Sequence, residues 1–202
     1  MERALSTAEE RRPAVLAAAV RAFAVSGYRG TPVARVATEA GISPAYVFRL
    51  FPTKQGLFIA AVHACFDRIL DALATRADAL PSTAPAPEVL SSMADAYAAL
   101  IADRTLLALQ VHALAAADEP EIQRALRAEH ARLVRYVADR SRAPLPAVQN
   151  FFARGQLCHL VTVLGIESVD EEWAGYLNEG IRHYPAEARD NDGNDRGGHD
   201  DR

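Results

Sequence analysis

Residues 31–54, running from Thr31 to Lys54, read TPVARVATEAGISPAYVFRLFPTK, the pattern of two short helices hinged at a glycine. Thr31-Pro32 and Ser43-Pro44 each set a hydroxyl residue before a proline. That order suits an N-cap followed by a proline at the first helical position, where its missing N–H costs nothing. Gly41 lies between the two helices, where a tight turn needs a residue that tolerates positive φ. Val33, Val36, Ala37, Ala40, Ile42, Val47 and Phe51 then face one small core, leaving Pro44, Ala45, Tyr46 and Arg49 on the outer face of the second helix. A helix-turn-helix presents such a face to the DNA major groove through the N-terminal residues of its second helix.

With its flanks, this stretch resembles the tetracycline-repressor-like (TetR) family of bacterial transcription regulators. The residues that carry the resemblance are Ala22-Phe23, Gly27-Tyr28-Arg29-Gly30-Thr31, Val36-Ala37, Ala40-Gly41-Ile42-Ser43, Val47-Phe48, Phe51-Pro52-Thr53-Lys54 and Leu57-Phe58. The resemblance implies an all-α protein: a three-helix DNA-binding head, then a larger helical body that encloses an effector cavity and dimerises through its last helices. Two positions depart from the family. It usually has a tyrosine where Phe48 stands and a histidine or tyrosine at Leu50, both commonly reaching DNA phosphates. Phe48 has no hydroxyl and Leu50 no polar atom, so at least one phosphate contact per half-site is expected to be missing or supplied elsewhere.

Composition agrees with a helical reading. Half of the 202 residues are hydrophobic, alanine is abundant, and no long β-branched run alternates at period two. The chain is long enough for a substantial core. No apolar stretch reaches the 18 or so residues of a membrane span, and the charged start MERALSTAEERR does not read as a signal sequence, so the cytoplasm is expected. Cys65 and Cys158, far apart in apolar surroundings, read as buried hydrophobes rather than a disulfide. The net charge of −4 is unevenly placed: residues 1–57 hold eight Lys/Arg against four Glu, a net +4, and the remainder 14 against 22, a net −8. A basic head on an acidic body fits a head that meets a polyanion.

Along the chain, Val15, Ala18, Ala19, Ala22 and Phe23 make the stripe of a first helix that ends at Gly27. Ser6-Thr7-Ala8-Glu9 offers a capping box, but Pro13 would then lie inside the helix, so a firm start is expected near Arg12, with residues 1–11 as an arm. A fourth helix, capped by Thr53, is expected to reach Ala79 and join head to body. Leu80 to Pro87 is a break with three prolines. Helices follow at Glu88–Ala102, Thr105–Ala117, Pro120–Arg142, Ala147–Leu164 and Asp170–Tyr184. Residues 185–202, polar and poor in hydrophobes, read as a disordered tail. The head is thus placed at 1–57 and the body at 58–184.

The DNA-facing candidates are Arg29, Thr31, Ser43, Pro44, Ala45, Tyr46, Arg49 and Lys54. Tyr46 suits a thymine methyl, a base edge or a phosphate, and packing sideways against the head is its plainer role. Arg49 suits a bidentate contact to guanine or a phosphate. For Lys54, the only lysine in the chain, the resemblance implies a phosphate contact. In the body, Tyr97, Gln110 and His112 punctuate apolar stripes, and His63 and Phe66 on the fourth helix are expected to face them. A few polar groups among aliphatic walls line a small-molecule pocket, or else a packed core that satisfies itself. No metal spacing links the six histidines, and no GxSxG, Walker or GxGxxG motif is present. No metal, cofactor or catalytic centre is therefore expected.

The last two helices carry Phe151, Phe152, Leu157, Leu160, Val161, Val163, Leu164, Ile166, Trp173, Tyr176, Leu177 and Ile181, more apolar surface than a peripheral pair needs. Gly155 and Gly165 would permit close helix approach, and a two-fold four-helix interface would bury this surface. The expectation is a homodimeric regulator, in the first instance a repressor of a palindromic operator released by a small, mainly apolar effector. A helical small-molecule-binding protein or enzyme with a vestigial head, and an activator or ligand-independent regulator, are the competing readings.

Overall fold

The computed structural model describes residues 8–181. Among these the chain forms nine α-helices and no strand: α1 (Ala8–Gly30), α2 (Val33–Ala40), α3 (Pro44–Leu50), α4 (Lys54–Asp78), α5 (Ala86–Ile101), α6 (Arg104–Ala115), α7 (Pro120–Ser141), α8 (Leu145–Leu164) and α9 (Glu172–Asn178). A 3₁₀ turn, Ile166–Ser168, joins α8 to α9. No single helix among the described residues is long and apolar enough to cross a membrane. The all-α expectation therefore holds, and most helix ends fall within a few residues of those read from the sequence.

Three local expectations need correction. α1 starts at Ala8 and carries Pro13 inside it, rather than starting near Arg12. The proline removes one hydrogen bond, to the Glu9 carbonyl, with little more than a turn of helix on its N-terminal side, so the loss is tolerated. Thr31 does not cap α2. Pro32 holds that position with extended backbone and no side-chain bond, while the buried Thr31 hydroxyl donates to the Ala22 carbonyl at 3.2 Å. The last helix is shorter than expected. A 3₁₀ turn precedes it, Asp170 is not helical, and residues 182–184, like the expected tail at 185–202 and residues 1–7 of the expected arm at 1–11, lie outside the described residues.

Gly27 ends the regular part of α1, with φ 68° and ψ −173°. Gly41 caps α2 in the left-handed region, its N–H reaching back to the Ala37 and Thr38 carbonyls. Ser43 and Thr53 cap α3 and α4, accepting from the N–H of Tyr46 at 3.2 Å and of Gly56 at 2.9 Å. Gly165 also caps, at φ 65°. It serves to end α8 rather than to bring two helices close.

α4 is the spine. Its apolar stripe, Leu57, Phe58, Ala61, Val62, Cys65, Phe66, Ile69 and Leu73, is buried along its whole length. Phe58 meets Phe23 of α1 edge-on at 4.9 Å and Tyr28 at 5.2 Å, a geometry aromatic quadrupoles favour. One continuous core runs from Val15 of α1 through α2–α7 to Val148 of α8. It passes through the fourth helix, where head gives way to body, without a break. Both cysteines are buried and free, and burial pushes the Cys65 thiol up to about 12. The proline-rich break after α4 is held by α7: Arg140 donates to the Leu80 carbonyl at 3.1 Å and also to that of Ala77, in the last turn of α4. α5 and α6 then meet at 95°.

Candidate functional site

The head presents α3 outward. Val47 and Leu50 are buried, whereas Pro44, Ala45, Phe48 and Arg49 are exposed and Tyr46 is half-buried. The Arg49 guanidinium lies over the Tyr46 ring, 5.1 Å from its centroid. Arg49 is thereby pre-oriented beside an aromatic face while its donors stay available. Phe48 is 45% exposed, a surface side chain, while Leu50 is 9% exposed and packs into the head. The two departures from the family pattern thus differ in kind: Leu50 supplies core surface, and Phe48 leaves an apolar ring at the surface.

One head residue escaped sequence reading. Arg12 donates to the Leu50 carbonyl at 2.8 Å and lies 4.1 Å from the centroid of the Phe51 ring. It satisfies an orphan carbonyl at the end of α3 and ties that helix to α1. An arginine near a helix start gives no sequence signal for this contact, which spans 38 residues.

Arg29 and Lys54 lie close together at the junction of α1 and α4. Lys54 donates to the Arg29 carbonyl at 3.2 Å and lies 5.2 Å from the Tyr28 ring centroid. The Arg29 side chain is bonded to Asp118 and lies 3.5 Å from Glu119, both on the α6–α7 connection. The Asp118 hydrogen bond and charge hold the Arg29 guanidinium above its ordinary range, and the Arg29 bond holds the Asp118 carboxyl below its own. Both partners are exposed, so the pair is readily exchanged for other ions. The Thr31 side chain is fully buried, so no hydroxyl from that position faces outward.

The body holds a half-open cavity of about 530 Å³, between α4, α5, α6, α7 and α8, a size suited to a small molecule. Its apolar walls include Phe66, Ile69 and Leu73 of α4, Leu90 of α5, Leu133 of α7 and Phe151 and Phe152 of α8. Of the expected cavity residues, Phe66, Tyr97 and Gln110 line it, and His63 and His112 do not. His63 is engaged elsewhere: its Nδ1 lies 2.5 Å from the buried Glu129 carboxylate, which also meets Arg132 at 2.7 Å. His112 packs on α1, and a Cβ built on Gly27 would come within 2.8 Å of its Nδ1. Gln110 and His112 are two positions apart, so a helix turns them to different faces.

Of two histidines that sequence reading did not place, one lines the cavity and the other reaches it only through Tyr97. His130 lines the cavity and meets the Phe66 ring at a 60° tilt, the centroids 5.0 Å apart. His159 bonds through Nε2 to the hydroxyl of Tyr97, which in turn donates to Gln110 Oε1 at 3.1 Å. Burial, with a smaller contribution from His130, lowers the His159 imidazole to about 4, so the ring is neutral near pH 7. Burial likewise raises the Tyr97 phenol and keeps it protonated.

The expected interface residues divide. Val161 and Ile166 form a small local core with Ala174 and the half-buried Leu157 and Leu177, and Phe151 and Phe152 face the cavity. Gly155 lies against the Tyr97 ring, where an added Cβ would be in ordinary contact at 3.8 Å. Leu160, Val163 and Leu164 on α8, with Trp173 and Tyr176 on α9, remain exposed.

Residues 15–61 match the sequence profile described as bacterial regulatory proteins, tetR family. Among solved structures, a putative TetR-family transcriptional regulator from Mesorhizobium loti shares the fold with a TM-score of 0.65 and 22% identity, over 85% of this chain and 91% of that one. A putative transcriptional regulator from Saccharomonospora viridis, in complex with choline, has a TM-score of 0.65 at 16% identity, over 84% and 92%. The multidrug binding protein EbrR, complexed with imidazole, has a TM-score of 0.59 at 23% identity, over 88% and 92%. No curated protein matches the chain significantly.

Proposed function

We propose that this chain, which carries the DNA-binding head and the fold of the TetR family, is a cytoplasmic transcriptional repressor that binds a palindromic operator as a homodimer and is released by a small, mainly apolar effector. The observation that carries the proposal is the pairing of an outward α3 face, with Arg49 laid over Tyr46, and a 530 Å³ apolar cavity on the helix that follows it. α4 begins at Lys54, directly after α3, and its own Phe66, Ile69 and Leu73 line the cavity. A ligand that prefers a shifted α4 changes the spacing of the two heads and lowers operator affinity, and it does so only through that preference. Helix α6 offers a second connection, with Gln110 at the cavity and His112 against Gly27 of the head. The choline and imidazole held by two similarly folded proteins support reading the cavity as a ligand site.

The exposed apolar residues of α8 and α9 suit a two-fold four-helix interface. Pro44, Ala45, Tyr46 and Arg49 are assigned to the groove. Ser43 supports that face as the cap of α3, and Lys54, with Arg29 once it exchanges Asp118 for phosphate, is assigned to the backbone. A vestigial head, favoured only by the apolar Phe48 surface, is the alternative. Binding to random-sequence duplex across a salt series separates the two: a steep fall of affinity with salt supports a working head, and no retention on DNA or heparin at moderate salt contradicts it.

Arg49→Ala should lose about 1–3 kcal/mol on a cognate operator, whereas Lys54→Ala should weaken cognate and random DNA alike and flatten the salt slope by about one unit. Fluorescence anisotropy on both duplexes checks this, and equal losses from Arg49→Ala would make Arg49 a phosphate contact. Because Phe48 is exposed, Phe48→Tyr should tighten binding modestly without changing the preferred sequence. Weaker binding would show that the added hydroxyl disturbs the head instead.

A further inference from the structure

The polar wall of the cavity has a fixed direction. Gln110 Nε2 donates to the Leu106 carbonyl at 3.3 Å, so its Oε1 faces Tyr97 and accepts the phenolic proton. Tyr97 has one proton to give. Its contact with His159 Nε2 is therefore made by a proton on that nitrogen, which leaves His159 Nδ1 a bare lone pair. That Nδ1 is buried and has no partner, in a residue 95% removed from solvent by its 5% exposure. His130 Nδ1 lies 2.8 Å from the Leu126 carbonyl, which only accepts, so that nitrogen carries a proton. Where Gln110 and Tyr97 meet the cavity, the uncommitted positions are thus a second lone pair on Gln110 Oε1 and one on Tyr97 Oη, against one spare N–H on Gln110; His159 reaches the cavity only through Tyr97, and the amides of Asn150 and Gln156 line the α8 side. No lining residue among those described is acidic, and Arg154 adds a cation, which donates to the Gly180 carbonyl.

Building on the effector reading above, we propose that the cavity selects a neutral ligand whose apolar body carries a hydroxyl or N–H donor, and that it discriminates against organic cations. The ligand's donor meets the Gln110–Tyr97 end of the acceptor wall, and Phe66, Phe151 and Phe152 pack its body. A cation brings donors too, but burying it here leaves it without a counter-charge, a cost that aromatic faces alone offset only in part. An ether or hydrocarbon of the same shape forgoes that bond, and an ether oxygen meets another acceptor there instead of a donor.

Three probes of one skeleton test this by calorimetry on the full chain near pH 7: 4-phenylbutan-1-ol, its methyl ether and 4-phenylbutylammonium. The expected result is tightest binding of the alcohol, with ether and ammonium each weaker by about tenfold or more, the effect of one unmade bond to a buried polar group. An ether as tight as the alcohol overturns the donor assignment, and an ammonium as tight or tighter overturns the charge selection. In either case the cavity remains a ligand site. If none of the three binds or raises the melting temperature, the effector reading itself fails and this inference with it. Gln110→Met should close the gap between alcohol and ether, because it removes an acceptor and frees the Tyr97 proton for the ligand. Retained ether affinity certifies that the variant is folded. Tyr97→Phe, which leaves Gln110 Oε1 open, should keep the gap. A gap unchanged in Gln110→Met would place the donor's partner elsewhere and overturn the assignment.

Discussion

Leu160→Asp is expected to sediment as a monomer of undiminished helical content and to lose its hold on a two-fold operator. Leu160 is 46% exposed and Leu164 64%. Both lie on the solvent side of α8, away from the local core of Val161, Ile166 and Ala174. A carboxylate there costs the isolated protomer little, since water still solvates it. In a four-helix interface it would be buried without a partner, at several kcal/mol, and each 1.4 kcal/mol raises the dimer's Kd tenfold. The second head then no longer binds at the high effective concentration its partner provides, so operator affinity falls far more than affinity for a half-site. A variant that remains dimeric would put the interface on other helices.

Gly27→Ala should lower stability by about 2–4 kcal/mol, read as a shift in the urea midpoint at constant slope. Two causes add. At φ 68° and ψ −173° the backbone lies in a region essentially restricted to glycine, at about 1–3 kcal/mol for any other residue. The new Cβ would also fall 2.8 Å from His112 Nδ1 and 3.1 Å from its Cγ, so the imidazole must move or the α1–α6 contact must open. His112→Ala in the Gly27→Ala background should recover the second part and leave the first, a coupling that a double-mutant cycle measures. If Gly27→Ala is neutral, the chain does not kink there and the contact between head and α6 is misplaced.

The parts of the fold that depend on neighbouring residues were readable from the sequence. Ser43-Pro44 fixes the start of α3 because cap and proline act within one turn, and Gly41 marks the hinge because few other residues adopt its backbone. Thr31-Pro32 looks the same on paper. There, a hydrogen bond to Ala22, nine residues back, draws the hydroxyl inward and leaves Pro32 to cap α2. The cavity was half legible. Polar residues interrupting apolar stripes pointed to Tyr97 and Gln110, but the same signal pointed to His112, which serves the head, and to the region of His63, which serves Glu129. Periodicity tells which residues are inward and is silent on which neighbour each one meets. His130 escaped because its helix carries many polar positions, where a histidine has no distinguishing pattern, and His159 because it interrupts the apolar run Leu157 to Val161, which reads as interface. Arg12 and the Arg29–Asp118 pair escaped because they join residues 38 and 89 apart.

Selection of bound duplexes from a random DNA pool by the full chain tests the central claim most directly. The account predicts recovery of an inverted repeat, with half-sites spaced by one helical turn or a little more, as a two-fold dimer with one α3 in each major groove requires. The selected site should bind far more tightly than random duplex of equal length. Recovery of no common sequence, or of a single unrepeated half-site from a chain shown to be dimeric, would contradict it.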